Sequence, residues 1–314
     1  MWRYVSRRVA ALVATLFFVS VLVFVVVRVL PGDPALIIIG PSGSPEDAAR
    51  LRAAMGLDRP LLVQYVDWLG HALKGDLGRS IQYDVPVSLL ILSRLQVTLP
   101  LTLLASAFMV VAAIPLGVFA ATRHRRFADY LTMALSQLGV AVPGFWAGLL
   151  LILLFSVRLG WVRAGGFDGW GQGIWPAVES LLLPAVALGL FQFAVLARTT
   201  RSAVLEVLRE DYVKAARAKG VGEMSVLFRH TLKNAMIPIL TVAGIQLGQL
   251  MAGSIILESV FYLPGLGRLA LGAINARDLP LVQGVVLFVA SLIVVINVAV
   301  DLLYGFLDPR IRYE

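Results

Sequence analysis

Six runs without a charged side chain divide the sequence, at residues 9–27, 96–122, 131–157, 180–197, 235–257 and 279–300. A helix of about 20 apolar residues crosses a hydrocarbon core of about 30 Å, and each run comes close to that length or exceeds it. Lipid offers the backbone no hydrogen-bond partners, so such runs must satisfy their own N–H and C=O groups as helices. The sequence therefore predicts an all-α polytopic membrane protein with six transmembrane helices. Pro100, Pro115, Pro143, Pro184 and Pro238 lie in these runs, which a bilayer helix tolerates where neighbours satisfy the freed carbonyls. Only 15% of the 314 residues are charged while 59% are hydrophobic, which excludes an ordinary soluble domain. The net charge of +8 would suit nucleic acid, but the basic residues fall in short segments between the runs, so no nucleic-acid partner is expected.

The absence of cysteine excludes disulfides, thiol nucleophiles and thiolate metal sites. His71, His124 and His230 fall in three separate loops without ligand spacing, so no metal or other cofactor is expected. No Ser/His/Asp set, carboxylate pair or phosphate loop occurs, and Gly265-Leu266-Gly267 lacks the lysine of a nucleotide cradle. An enzyme is not expected.

The first run exceeds the apolar core of a signal peptide, and Arg28-Val29-Leu30-Pro31 offers no small-residue cleavage site; helix one reads as retained. Between it and residue 95, Ser44-Pro45-Glu46-Asp47 starts one short helix that stops at Gly56. Asp58-Arg59-Pro60 starts a second, whose stripe of Leu61, Leu62, Tyr65, Trp68, Leu69 and Leu73 ends at Gly75. Such short amphipathic helices lie on a membrane surface or pack on each other there. Eight arginines (Arg3, Arg7, Arg8, Arg123, Arg125, Arg126, Arg310, Arg312) flank one side of the spans against four (Arg158, Arg163, Arg268, Arg277) on the other. The positive-inside rule then places both termini in the cytoplasm and the amphipathic helices in the first external loop.

Residues 211–233, DYVKAARAKGVGEMSVLFRHTLK, form a polar island between two apolar runs. Good helix formers run to Lys219, and Gly220 supplies a stop. A second short helix is predicted directly after, with Val221, Met224, Leu227, Phe228 and Thr231 or Leu232 on one face. Ala215, Ala216 and Ala218 permit close approach of another surface, and Tyr212 offers an aromatic anchor. The island reads either as a docking knuckle or as a plain basic loop that sets topology. Within the membrane runs, Gln246 and Gln249 stand three apart on helix five, with Gly253 one turn on and Glu258 near the end. This face either lines a translocation path or makes hydrogen bonds between helices.

Ala215-Ala216, three residues, Gly220 and an eleven-residue gap to Leu232 resemble the EAA loop of importer permeases in the ATP-binding cassette superfamily. Lys214, His230 and Lys233 stand where that pattern usually has Glu, an apolar residue and Pro. Leu30-Pro31-Gly32-Asp33-Pro34, Met55-Gly56-Leu57-Asp58-Arg59-Pro60, Gln64-Tyr65, Trp68-Leu69 and Gly75-Asp76-Leu77-Gly78 resemble the N-terminal region of the B-type permease of dipeptide and oligopeptide importers. Glu258-Ser259-Val260-Phe261, Pro264-Gly265-Leu266-Gly267, Arg277-Asp278, Asn297, Asp301 and Asp308-Pro309-Arg310 resemble its C-terminal part. The resemblance implies a type I importer permease fold, with helix one and its external region over 1–95 and a core permease domain over 96–314 that holds a coupling loop at about 198–234. It implies a bacterial inner-membrane location and pairing with a C-type permease. It further implies two ATPase subunits that bind the ATP and an extracytoplasmic binding protein that delivers a dipeptide, longer peptide, glutathione or chelated nickel. It makes Asp211, Tyr212, Ala215, Ala216, Arg217 and Gly220 the ATPase contact. A secondary transporter working without ATPases is the competing reading.

Overall fold

The structure is a computed structural model that describes residues 2–29, 39, 44–54 and 56–307. The motif residues Leu30-Pro31-Gly32-Asp33-Pro34, Met55 and Asp308-Pro309-Arg310, with Arg312, lie outside the described residues. In chain order the helices are α1 (Trp2–Val29), α2 (Pro45–Ala54), α3 (Leu61–Leu73), α4 (Val87–Thr122), α5 (Phe127–Ala141), α6 (Gly144–Leu151), α7 (Ile174–Leu208), α8 (Asp211–Ala218), α9 (Glu223–Ser225), α10 (Lys233–Val260), α11 (Leu266–Asn275) and α12 (Leu279–Leu307). A π-helical stretch, Ile152–Arg158, follows α6, and another, Val226–Leu232, joins α9 to α10. Among the described residues two compact units divide the chain: one holds 98–263 and 296–307, the other those of 2–97 and 264–295.

Ser6–Val27, Val87–Thr122, Ile174–Leu208, Glu223–Val260 and Leu279–Val300 are each long and apolar enough to cross a membrane. The third expected span is not one straight helix. It is the pair Phe127–Ala141 and Gly144–Arg158, bent by 106°. Pro143 accounts for the break: it has no N–H to donate, and its ring drives the preceding Val142 out of the helical region, to φ −86° and ψ 121°. The helix restarts at once, with the Pro143 carbonyl accepting from Ala147 N–H at 3.0 Å.

In the larger unit α7 is the central helix, packed against α10, α5 and α6. It meets the second half of α4 through small residues. A Cβ on Gly117 would lie 2.6 Å from the Ala197 carbonyl oxygen, and one on Gly189 would lie 2.9 Å from the Ala105 oxygen. Both pairings advance in the same chain direction, so the two helices run parallel at backbone contact, as small residues at membrane-helix interfaces allow. A core of Met109, Leu196, Val204, Ala235 and Ile239 continues this packing toward one end. Between α10 and α4, the Thr98 hydroxyl donates to Glu258 Oε1 at 2.6 Å, and both groups are buried. Beyond α6, the loop returns to the end of α10, where Gly166 N–H donates to the Phe261 carbonyl at 2.8 Å and Gly165 leaves no room for a side chain.

In the smaller unit both short helices form where their start signals stand. Ser44 Oγ accepts from Asp47 N–H at 3.1 Å and donates to the Asp47 carboxylate at 2.7 Å, a reciprocal cap. Gly56 at φ +66° and Gly75 at φ +84° close the two helices in left-handed conformations. The N-cap of α3 is Pro60, not Asp58, and no side chain caps it. A core of Val27, Val87, Ile91, Leu266, Leu269 and Leu281 joins α1, α4, α11 and α12 within this unit. Buried Asp278 caps α12 through Leu281 N–H at 3.2 Å and also accepts from Ser80 Oγ and Gln82 N–H, which fixes the loop before α4. The close α4–α7 contact sets the first expectation. Replacing Gly117 with alanine forces the two backbones apart and costs about 1–3 kcal/mol; thermal unfolding in detergent should show a clearly lowered midpoint, and an unchanged one would mean that the contact yields.

Candidate coupling element and its support

The polar island folds as α8 followed by a tight reversal. Glu210 precedes the helix in an extended conformation, and Asp211 occupies the first turn. Asp211 accepts from Lys214 Nζ at 2.8 Å, and this exposed contact holds its carboxyl below the ordinary aspartate range. Val213 is fully buried and anchors the helix, while Ala215 is exposed and Ala216 half-buried. The Tyr212 hydroxyl accepts from Asn234 Nδ2 at 2.7 Å and donates to the His230 carbonyl at 3.3 Å, which ties α8 to the start of α10. Gly220, at φ +77°, makes the reversal, and Val221 N–H reaches back to the Ala216 carbonyl at 3.2 Å. Arg217 crosses the bend to Glu223 with two bonds of 2.8 and 3.1 Å.

The second half of the island differs from the expected short helix. From Glu223 the chain runs as one continuous rod to Val260, and the bend at Gly220 therefore joins α8 directly to a membrane span. The expected apolar face is divided: among its members Thr231 is buried, and so is Val226, which the spacing left off it. Met224 and Phe228 are 68% and 55% exposed, whereas Val226 and Thr231, five residues apart, are fully buried. The π-helical turn over Val226–Leu232 explains the division, because its i→i+5 pattern carries an extra residue and breaks the three-and-four spacing used to assign the face. With Tyr212 at 43% exposure, the described surface of the knuckle carries three large apolar side chains beside small alanines.

On α10 the path candidates separate. Gln246 is buried and its Oε1 has no hydrogen-bond partner among protein atoms, Gly253 is half-buried where a Cβ would lie 3.2 Å from Leu188 Cδ1, and Glu258 is buried against Thr98. Gln249 alone of the four is exposed, in a stripe with Ile245, Ala252 and Ile256 at helical spacing. Among the described residues no group of three His, Asp or Glu side chains gathers as metal ligands.

Sequence reasoning missed a buried charge cluster next to this element. Arg201, seven residues before the end of α7, binds Asp129 at the start of α5 in a bidentate pair, through Nε to Oδ1 and through Nη2 to Oδ2 at 2.8 Å. Arg125 N–H donates to the same carboxylate at 3.0 Å, and His124 Nδ1 lies 3.3 Å away. Only 2% of the Asp129 side chain is exposed. A cavity of about 510 Å³ opens beside it, lined in part by His124, Arg201, Arg209 and Asp211. The only sequence signal is one acid and one base at the membrane-facing ends of two runs; nothing pairs them across the intervening chain.

Residues 113–313 match the family described as the binding-protein-dependent transport system inner membrane component, and residues 1–102 match the corresponding N-terminal family. The chain belongs to this family of inner-membrane transport components. A Brucella abortus (strain 2308) protein named as a peptide transport system permease is 46% identical over 310 residues, with 99% of each chain covered. The glutathione transport system permease protein GsiC of Escherichia coli O6:H1 is 42% identical over 314 residues, with 100% of each covered. A chain from a solved MetNI methionine ABC transporter in an inward-facing conformation shares the fold at a TM-score of 0.57 and 22% identity, covering 70% of this chain and 96% of that one. The expected permease fold and family are thus found, and the chain is a multi-pass membrane protein.

For this family member the Asp129–Arg201 pair is the strongest polar tie close to the knuckle. Asp129→Ala leaves a largely buried guanidinium without its partner and should cost about 3–5 kcal/mol. Thermal unfolding of the detergent-solubilised protein should therefore shift well below the parent, more than for a control such as Asp211→Ala at the exposed pair; equal shifts would mean that the buried pair adds no more stability than the exposed one.

Proposed function

We propose that this chain is the B-type permease subunit of an ATP-driven importer of small peptides, forming half of the translocation path and working by alternating access. The observation that carries this reading is the knuckle. A short helix with a buried anchor at Val213 presents Tyr212, Ala215 and Ala216 at a surface, and a single rod connects it to the helix that bears Gln249. The names of the relatives, a peptide and a glutathione permease, support the substrate class. Both are compatible with a substrate that presents amide and carboxylate groups.

In this reading both termini and the knuckle lie in the cytoplasm, where Asp211, Tyr212, Ala215, Ala216, Arg217 and Gly220 meet one of two ATPase subunits. Those subunits bind and hydrolyse the ATP, and this chain does no chemistry. A C-type permease forms the other half of the path, and an extracytoplasmic binding protein delivers the peptide. The 1–95 region lies largely outside and the 96–314 region forms the core with its coupling loop at about 198–234. The exposed stripe around Gln249 faces the path, and Gln246, Gly253 and Glu258 support that helix from behind.

The mechanism follows from stiffness. Closure of the ATPases displaces the knuckle; the Arg217–Glu223 and Tyr212–Asn234 contacts keep it from folding away, so the displacement passes into α10 as rigid-body motion of a packed helix. Since the chain has no cysteine, single cysteines at Tyr212, Ala215, Ala216 and Gly220 can be cross-linked in native membranes. The expected product is an ATPase adduct. Ala215→Trp or Ala216→Trp should abolish ATP-coupled uptake while the membrane bundle stays folded. Four accessible cysteines that trap no ATPase, or a tryptophan variant that still transports, would defeat the docking assignment and favour a transporter that works alone.

A further inference from the structure

The short helix α3 packs on α1 at a depth that decides where it lies. The Tyr65 hydroxyl and Ser20 Oγ share a hydrogen bond of 2.8 Å, and Phe24 meets Tyr65 and Trp68 with ring centroids 5.4 and 5.9 Å apart. Ser20 and Phe24 are buried. Both belong to the apolar span Ser6–Val27, and Ser20 lies seven residues inside its end, about 10 Å along the helix axis. A helix held at that level cannot stand clear of the bilayer. If the apolar span ends near the headgroup boundary, this level matches the burial of about 5–10 Å typical of interfacial amphipathic helices.

Its other faces agree. Gln64, Asp67 and His71 line a cavity of about 700 Å³ whose wall also includes Asp76, Arg79 and Asp84. Charged and polar groups thus gather on one side of α3. On the opposite side Leu62, Val66 and Leu73 stand at helical spacing and are 73%, 59% and 80% exposed. The neighbouring surface of α1 at the same level, Leu22, Val25 and Val26, is likewise exposed and apolar, so the stripe continues an apolar surface of a candidate membrane span.

We propose that α3 is a half-embedded interfacial helix whose Leu62, Val66 and Leu73 stripe docks into the acyl layer of the bilayer, with its Gln64, Asp67 and His71 side turned to the aqueous cavity. Tyr65 and Trp68 latch it to α1, so the region following the first span is held down on the membrane and does not project freely from it. This assignment depends on α1 crossing the membrane and is independent of which solute is carried.

Single cysteines at 62, 66 and 73, and at 67 and 71 for comparison, would be labelled with bimane in the assembled transporter. The labelled complexes would be reconstituted in phosphatidylethanolamine and phosphatidylglycerol vesicles with or without brominated acyl chains. The three stripe positions should be quenched severalfold by the brominated chains and little by aqueous iodide, with the order reversed at 67 and 71. Quenching of the stripe by iodide would place that face in water. Protection from both quenchers would place it under another protein subunit. Either result overturns the proposal.

Discussion

Every backbone polar group at membrane depth must find its partner inside the protein, and this constraint shapes each unit more than any side chain does. It explains why the regular structure among the described residues is helical and why departures from the α-helix take the forms they do. At Pro143 the chain does not open into a loop. Val142 N–H still reaches the Leu138 carbonyl at 3.1 Å and the Pro143 carbonyl is taken up by the next helix, so a bend of 106° leaves few groups stranded. The π-helical stretches at Ile152–Arg158 and Val226–Leu232 absorb an extra residue while keeping the ladder closed. With backbone needs met locally, association of the helices falls to packing, and the glycines at 117 and 189 let α4 and α7 approach to backbone contact.

Polar side chains within this frame have two fates. Some are fully engaged: Glu258 with Thr98, Asp278 with Ser80 and the loop amides, Asp129 with Arg201, His124 and Arg125. Each of these joins segments far apart in sequence, and each is buried, so each limits which arrangements of the helices are compatible with folding. Others, such as Gln192 and Gln246, are buried with an amide oxygen that lacks a protein partner. Both lie on the α7 and α10 pair at the centre of the larger unit. The engaged groups fix the frame, and the unengaged ones mark where its interior is least committed.

Much of the architecture was legible in the sequence because a bilayer span leaves a strong one-dimensional signal. The spans, the short helices started at Ser44 and just after Pro60, and the stops at Gly56, Gly75 and Gly220 follow from local chemistry. Two kinds of feature escaped. The uncharged runs understate the helices by nine residues at Val87 and eleven at Leu208, since a helix continues beyond its apolar run wherever good formers such as Leu89, Leu90 and Leu92 flank it. Register was lost at the π-helical turn, where three-and-four spacing puts Met224 and Phe228 on one face with Thr231, although the first two are exposed and Thr231 is buried together with Val226. Pairings such as Asp129 with Arg201 are invisible for a different reason: they are set by tertiary approach, and a charge at the end of a run does not name its partner.

The exposed bridge between Arg217 and Glu223 has a consequence for conditions. Its arginine and glutamate side chains are 38% and 71% accessible to water, so dissolved salt weakens their attraction, over a Debye length of about 8 Å at physiological ionic strength. The anchor beneath it, Val213, is apolar and fully buried and does not respond to salt in this way. Among the contacts that hold the bend at Gly220, the surrounding electrolyte therefore loosens the bridge while the buried anchor and the neutral hydrogen bonds of Tyr212 and Val221 stay in place.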